Sequence, residues 1–163
     1  MTKTAYLSLG SNLGNREANL REAVRRLKNL GEVTAVSSFY ETEPVEVTDQ
    51  PWFLNIALEL HTELMPRQLL SALLKIERDM GRKRLQPKGP RLIDIDILLF
   101  ASSVMNDTKL VIPHPAMHER NFVLKPLAEI APGAKHPSLK KSVEELLEDL
   151  PQPAPVVRKF AKF

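Results

Sequence analysis

The sequence predicts an α+β fold in which two amphipathic helices pack on a mostly antiparallel sheet. Three observations predict it. Four segments of strand length are rich in apolar and β-branched residues, two segments repeat apolar residues at helical spacing, and their order is strand, helix, strand, strand, helix, strand.

Thr4–Leu9 reads as the first strand and stops at the turn-rich Gly10-Ser11-Asn12-Leu13-Gly14-Asn15. Asn15 can cap a helix, along which Leu20, Val24, Leu27 and Leu30 recur on one face, with Gly31 as its expected stop. Val33–Tyr40 reads as the second strand, Glu41–Pro51 as an exposed loop, and Phe53–His61 as the third strand. A second helix opens near Pro66, where proline suits the first turn. It carries Leu69, Leu73, Ile76 and Met80 on one face and ends at Gly81. A basic loop follows, broken by Pro87, Gly89 and Pro90, and leads into a fourth strand, Arg91–Phe100. Leu110–Ile112 is a candidate short strand. Pro113, Pro115, Pro126, Pro132 and Pro137 then leave room only for short helices, the last at about Ser142–Leu150, before a proline-rich tail from Pro151 that is expected to be loosely held. This order is the split βαβ pattern of a ferredoxin-like α/β/α sandwich, a βαββαβ core with a short C-terminal extension.

Composition bounds the function without choosing it. The 163 residues fit one domain, 1–163, and the 43% hydrophobic and 26% charged fractions are those of an ordinary globular protein. With no cysteine, disulfides, thiolate metal sites and a cysteine nucleophile are excluded. The first residues show neither a long apolar run nor a cleavage pattern, and no stretch approaches the roughly 18 apolar residues of a membrane span, so a cytoplasmic protein with no membrane partner is expected. The net charge of +3 suits an anionic substrate as well as nucleic acid. Arg78, Arg82, Lys83, Arg84, Lys88 and Arg91, however, concentrate positive charge in one short stretch.

The segment richest in chemistry is Arg91-Leu92-Ile93-Asp94-Ile95-Asp96-Ile97-Leu98-Leu99-Phe100. Alternation along a strand puts Ile93, Ile95, Ile97 and Leu99 on one face, toward the helices, and Asp94 and Asp96 on the other, roughly 6–7 Å apart at the backbone. Like charges at that spacing repel, and a hard divalent cation relieves the repulsion; oxygen-only ligands favour magnesium over zinc. The alternative on this segment alone is a solvated outer face of the sheet. Carboxylates beside clustered arginines are what Mg–ATP chemistry needs: metal to bridge phosphates and guanidinium to grip their oxygens.

Other candidates have plainer alternatives. Gly10–Asn15 lacks the Lys-Ser/Thr of a phosphate-binding loop and reads as a tight strand-to-helix turn. Arg82 and Arg84 are either solvated or phosphate-binding, and Glu77 either points inward or is a surface acid. Phe53 and Asn55 share a strand face and could stack on and hydrogen-bond a flat heterocycle, or simply pack. His114 lies in a rigid Pro-His-Pro loop; His61, His118 and His136 show no ligand spacing and are assigned no role. Trp52 reads as a packing anchor or loop lid.

Four segments in combination carry a family resemblance: Leu7-Ser8-Leu9-Gly10-Ser11-Asn12-Leu13-Gly14; Gly81-Arg82-Lys83-Arg84; Gly89-Pro90-Arg91-Leu92-Ile93-Asp94-Ile95-Asp96-Ile97-Leu98; and Pro113-His114-Pro115 through Arg120-Asn121-Phe122-Val123-Leu124. From about Thr4 to Pro137 the chain resembles the 6-hydroxymethyl-7,8-dihydropterin pyrophosphokinases of folate biosynthesis. The resemblance implies an enzyme that moves pyrophosphate from ATP to the pterin alcohol and releases AMP. A monomer is expected, and no nucleic-acid partner, since Asp94 and Asp96 would repel nucleic-acid phosphate unless metal-bound. By motif match, Asp94 and Asp96 would hold two magnesium ions, with Arg82, Arg91, Asp94 and Asp96 as the catalytic set. Glu77, Arg82, Arg84, Arg91, Ile97, His114 and Arg120 would bind ATP. Thr42, Pro44, Val45, Phe53, Asn55, Asp94 and Phe122 would bind the pterin, its ring between Phe53 and Phe122. Three positions depart from the family pattern: Lys88 and Pro115 stand where many or several members have an aromatic, and Phe53 where some have tyrosine. The rival readings are a different magnesium-dependent nucleotidyl or phosphoryl transferase, a non-enzymatic RNA-binding module on the same fold, and a silent subunit that keeps only the scaffold.

Overall fold

A computed structural model describes residues 1–44, 49–81 and 90–163. In chain order the elements are β1 (Lys3–Ser11), α1 (Arg16–Leu27), β2 (Glu32–Val36), β3 (Phe39–Thr42), β4 (Phe53–Thr62), α2 (Pro66–Asp79) and β5 (Asp94–Phe100). The short strands β6 (Met105–Asn106) and β7 (Val111–Ile112) follow, then a 3₁₀ turn at Met117–Glu119, α3 (Asn121–Ile130), β8 (Lys135–His136), β9 (Lys141–Ser142), α4 (Val143–Glu148) and β10 (Val157–Ala161). The main sheet runs β10-β3-β4-β1-β5, with β2 also paired to β4, and every pairing is antiparallel. The central order β5-β1-β4-β2/β3 is the expected split βαβ arrangement, so the fold is α+β.

Strand pleating divides the core in two. Leu7 and Leu9 of β1, Leu54, Ile56, Leu58 and Leu60 of β4, and Ile93, Ile95 and Ile97 at β5 pack with Leu20, Val24 and Leu27 of α1 and Leu69, Leu73 and Ile76 of α2. On the opposite face, Ala57, Leu98 and Leu99 meet Met117, Val123, Leu124 and Leu127 beneath α3, with Val143 and Leu146 of α4. Helix α3 covers only part of that face, and the rest of it becomes the floor of a cleft.

The opening signals of α1 and α2 are realised, as is the glycine stop of α2. Asn15 Oδ1 accepts from the Ala18 N–H at 3.0 Å to cap α1, Pro66 opens α2, and Gly81, at φ +90°, ends it. Helix α3, by contrast, continues through Pro126. The proline removes one helical hydrogen bond and costs roughly 3 kcal/mol in a helix interior. Burial of Val123, Leu124 and Leu127 contributes about 1.5–3 kcal/mol each and outweighs it.

Several sequence expectations are corrected. The expected strand Val33–Tyr40 is two strands broken at Ser37-Ser38, where Ser37 Oγ, rather than a carbonyl, accepts from the Ala57 N–H at 2.9 Å. The expected loop from Glu41 begins two residues later, because Glu41 and Thr42 belong to β3. A register shift between Tyr6/Leu7 and Leu99/Ile97 leaves Leu98 as an extra residue in β5. Leu99 therefore turns away from the helices α1 and α2, and Phe100 takes its place in their core. The tail from Pro151 is tied down: β10 pairs with β3, and the Phe163 ring lies 5.4 Å from that of Phe39. Leu30 lies in the turn beyond α1, and Gly31 has no left-handed backbone; it serves a close approach instead.

A Cβ at Gly31 would sit 2.2 Å from the His61 carbonyl oxygen, backbone of β4 that cannot move without disturbing the sheet. Gly31→Ala is expected to lower stability by roughly 2–3 kcal/mol, read from urea unfolding; an unchanged midpoint would show that the approach is looser than this geometry.

Candidate active site

The cleft has a volume of about 490 Å³ and lies on the half of the sheet that α3 leaves open. Its floor follows from the strand register. Gly10 is opposite Asp94 and Ser8 opposite Asp96 on β5, while Gly10 is opposite Asn55 on β4. Small residues on β1 therefore leave open space beside the two carboxylates, which are each half-buried and line the cleft. At Gly10 an added Cβ would approach Asn55 Oδ1 to 2.8 Å and displace that amide.

At one end of the floor, cationic side chains join the acids in the lining. The Arg91 guanidinium lies 3.3 Å from Asp94 Oδ2, and its buried Nε has no partner among the described residues. Asn12, 1% exposed, fixes the Arg91 backbone: Asn12 Oδ1 accepts from the Arg91 N–H at 2.7 Å, and the Asn12 N–H donates to the Arg91 carbonyl at 3.0 Å. The Asn12 amide nitrogen also donates to Gln50 Oε1 and the Pro51 carbonyl. One buried amide thus joins the end of β1 to the segments before β4 and before β5.

His114 and Arg120 complete this end. The His114 N–H donates to the Leu98 carbonyl at 2.9 Å, so the bulge in β5 sets its position. Its Nδ1 accepts from the Ala116 N–H at 3.1 Å, which leaves the ring proton on Nε2. Burial pushes the imidazole below its ordinary 6.5, and the charge of Arg120 adds to this against the opposing pull of Asp94. His114 therefore acts as a neutral donor at neutral pH.

The other end carries aromatic and amide groups. Phe53 enters from β4 and Phe122 from the first turn of α3, and both line the cleft. Asn55, 5% exposed, donates from Nδ2 to Thr42 Oγ1 at 2.8 Å, which orients its amide. Glu43 and Pro44 form the adjoining rim. Helix α3 is held in register by Glu129, whose carboxylate accepts from the Tyr40 hydroxyl at 2.6 Å and from the Ser38 N–H at 3.0 Å. Burial alone would raise that carboxyl, but these donors hold it below its usual range.

Of the expected site residues, Arg91, Asp94, Asp96, His114, Arg120, Thr42, Pro44, Phe53, Asn55 and Phe122 converge on this one cleft. Ile97 does not. It packs among α1 and α2 on the opposite face, because it follows Ile93 and Ile95 in the pleat. Glu77 is likewise buried on the α2 side, where its Oε2 accepts from the Ile95 N–H at the outer edge of β5 at 2.7 Å. Arg82, Arg84 and Val45 lie outside the described residues. Asn12 and Asn121 were not anticipated. Asn12 sat within a turn motif that reads locally as a loop, and its three partners are 38–79 residues away in sequence.

Among the described residues no group of three or more acidic, histidine or cysteine side chains could hold a metal. The Asp94–Asp96 pair suits a cation whose remaining ligands come from water and phosphate oxygens, which is how magnesium is usually bound.

Residues 6–132 match the family model described as 7,8-dihydro-6-hydroxymethylpterin-pyrophosphokinase (HPPK), leaving residues 1–5 and 133–163 outside the match. The chain is 50% identical over 132 residues to a Bacillus subtilis (strain 168) protein named 2-amino-4-hydroxy-6-hydroxymethyldihydropteridine pyrophosphokinase, covering 80% of this chain and 79% of that one. It is 51% identical over 129 residues to the mitochondrial folate synthesis bifunctional protein of Arabidopsis thaliana, covering 78% of this chain but 23% of that protein. The solved wild-type HPPK-DHPS of Plasmodium falciparum superposes with a TM-score of 0.74 at 17% identity, over 91% of this chain and 44% of that one, a likeness of fold. The chain belongs to the 7,8-dihydro-6-hydroxymethylpterin-pyrophosphokinase family.

The two depressed imidazoles make stability depend on pH. Burial lowers His136 as it does His114, with the neighbouring His118 adding to it. The unfolded chain takes up protons near 6.5 while the folded one resists, so stability is full above that value and falls as pH drops through it. Urea unfolding between about pH 7.5 and about pH 5.5 is expected to show this loss, and His114→Gln with His136→Gln to flatten it. An equal slope in the double variant would contradict the assignment.

Proposed function

We propose that this member of the pyrophosphokinase family transfers pyrophosphate from ATP to 6-hydroxymethyl-7,8-dihydropterin, giving AMP and the pterin diphosphate in folate biosynthesis. The observation that carries the reading is the joining, in one cleft, of a carboxylate pair and arginine side chains with two phenylalanine rings and an oriented amide. The first end suits a polyphosphate and the second a flat heterocycle with a polar edge.

In this reading the pterin ring lies between Phe53 and Phe122, and Asn55 with the Thr42–Pro44 segment meets its polar edge. One Asn55 Nδ2 hydrogen goes to Thr42, and the other N–H together with Oδ1 can meet a donor–acceptor ring edge. Arg91, His114 and Arg120 hold phosphate oxygens, His114 through its Nε2–H. Arg82, Arg84 and Val45 belong to this set by motif. Glu77 and Ile97 act from behind the sheet by supporting β5. Magnesium, held by Asp94 and Asp96 when bound with the nucleotide, supplies neutralisation of the polyphosphate charge.

The pterin hydroxyl oxygen attacks the β-phosphorus. A bond forms between them as the bond from the β-phosphorus to the oxygen bridging the α-phosphorus breaks, and that oxygen leaves with AMP. The hydroxyl proton is released to solvent in the same conversion. The protein's part is to place the two reactants in line and to offset charge, which is where such enzymes obtain most of their rate. The chain works as a single domain and a monomer in the cytoplasm, without a nucleic-acid or membrane partner. No helix among the described residues is long and apolar enough to cross a membrane.

Incubation with Mg–ATP and the pterin alcohol is expected to yield AMP; pyrophosphate as the product would instead indicate a nucleotidyl transferase. Asp96→Ala is expected to cut turnover by about a hundredfold or more while the circular dichroism spectrum and unfolding midpoint stay near those of the unaltered protein. A variant with near-normal rate would remove Asp96 from the metal role.

A further inference from the structure

The segment Pro155–Arg158 touches both walls of the proposed pterin slot. On the helix side, Asn121 Nδ2 donates to the Pro155 carbonyl at 2.6 Å, and both residues line the cleft next to Phe122. On the sheet side, the Val156 N–H donates to Glu43 Oε1 at 2.9 Å, and Val157 pairs with Thr42. Arg158 donates to Glu41 Oε1 at 2.6 Å and lies 4.9 Å over the Trp52 ring, the residue before Phe53. Glu41 is also held by Arg16 from α1. Burial would raise its carboxyl, but the two guanidinium groups outweigh that and keep it ionised.

Asn121 is poorly explained by stability. It is 7% exposed, and its Oδ1 is buried with no partner among the described residues. An unmet buried acceptor costs about as much as the single hydrogen bond contributes. An apolar side chain there would serve folding as well. What the amide does supply is a fixed distance between the start of α3 and the chain that edges β3.

We propose that Pro155–Arg158 is a clasp that sets the width of the pterin slot, with Asn121 and Arg158 as positioning residues that tune affinity for the pterin but not for the nucleotide. The claim rests on the functional reading above. Its selectivity follows from placement: of the clasp residues only Pro155 lines the cleft, and neither Arg91, Asp94, Asp96, His114 nor Arg120 shares a hydrogen bond or ion pair with the segment among the described residues.

The test is steady-state kinetics on the unaltered chain, 1–163, and on Asn121→Ala, Arg158→Ala and a chain ending at Ala154, with AMP as the readout. The expected result is a rise of about five- to tenfold in KM for the pterin alcohol in each variant, with KM for Mg–ATP and kcat within about twofold. Asn121→Ala should add nothing further in the shortened chain, because its partner is already gone. If the shortened chain does not fold, the two point variants decide. Unchanged pterin KM in both, or parallel rises in the KM of both substrates, would overturn the clasp while leaving the functional reading in place. Failure of the unaltered protein to form AMP would overturn both.

Discussion

The antiparallel pairing of β1 with β5 is the constraint on which the rest of the site depends. Its register sets Gly10 and Ser8 beside Asp94 and Asp96. A shift by one residue would turn the carboxylates into the α1–α2 core and the isoleucines into the cleft. Burial of Ile93, Ile95 and Ile97 against that core opposes the slip, since each isoleucine contributes about 1.5–3 kcal/mol. The same apolar face that stabilises the fold therefore aims the acids. Glu77 reinforces the arrangement by taking the Ile95 N–H, which β5, as the edge strand, would otherwise leave unpaired.

The bulge at Leu98 lets one strand serve two purposes. Before it, alternation presents acids to the cleft; after it, Leu98 and Leu99 both join the core under α3. The bulge also offers the Leu98 carbonyl to His114, placing a neutral imidazole near the carboxylate pair. The covered half of the sheet and the open half are thus made from a continuous strand, and the boundary between them is where the chemistry is proposed to occur.

Much of this was legible in the sequence because it is periodic. Strand alternation placed Asp94 and Asp96 on one face and paired Phe53 with Asn55, and helical spacing found α1 and α2. What was not legible depended on contacts remote in sequence. Asn12 looked like a turn residue until its partners at Gln50, Pro51 and Arg91 were seen. Pro126 hid α3, because the burial that offsets the proline is tertiary. The tail reads as proline-rich and loose, yet β3 offers it an open edge and Glu41 offers it a charge. Leu99 was placed on the wrong face because nothing in Ile97-Leu98-Leu99-Phe100 announces a bulge.

Everything proposed for the chemistry requires that the two aspartates bring nucleotide and metal together in this cleft. Calorimetric titration with a non-hydrolysable ATP analogue, with and without magnesium, measures that directly. The account predicts binding that needs magnesium and is lost in a chain carrying both Asp94→Asn and Asp96→Asn. Equal affinity without the metal, or in that double variant, would contradict it.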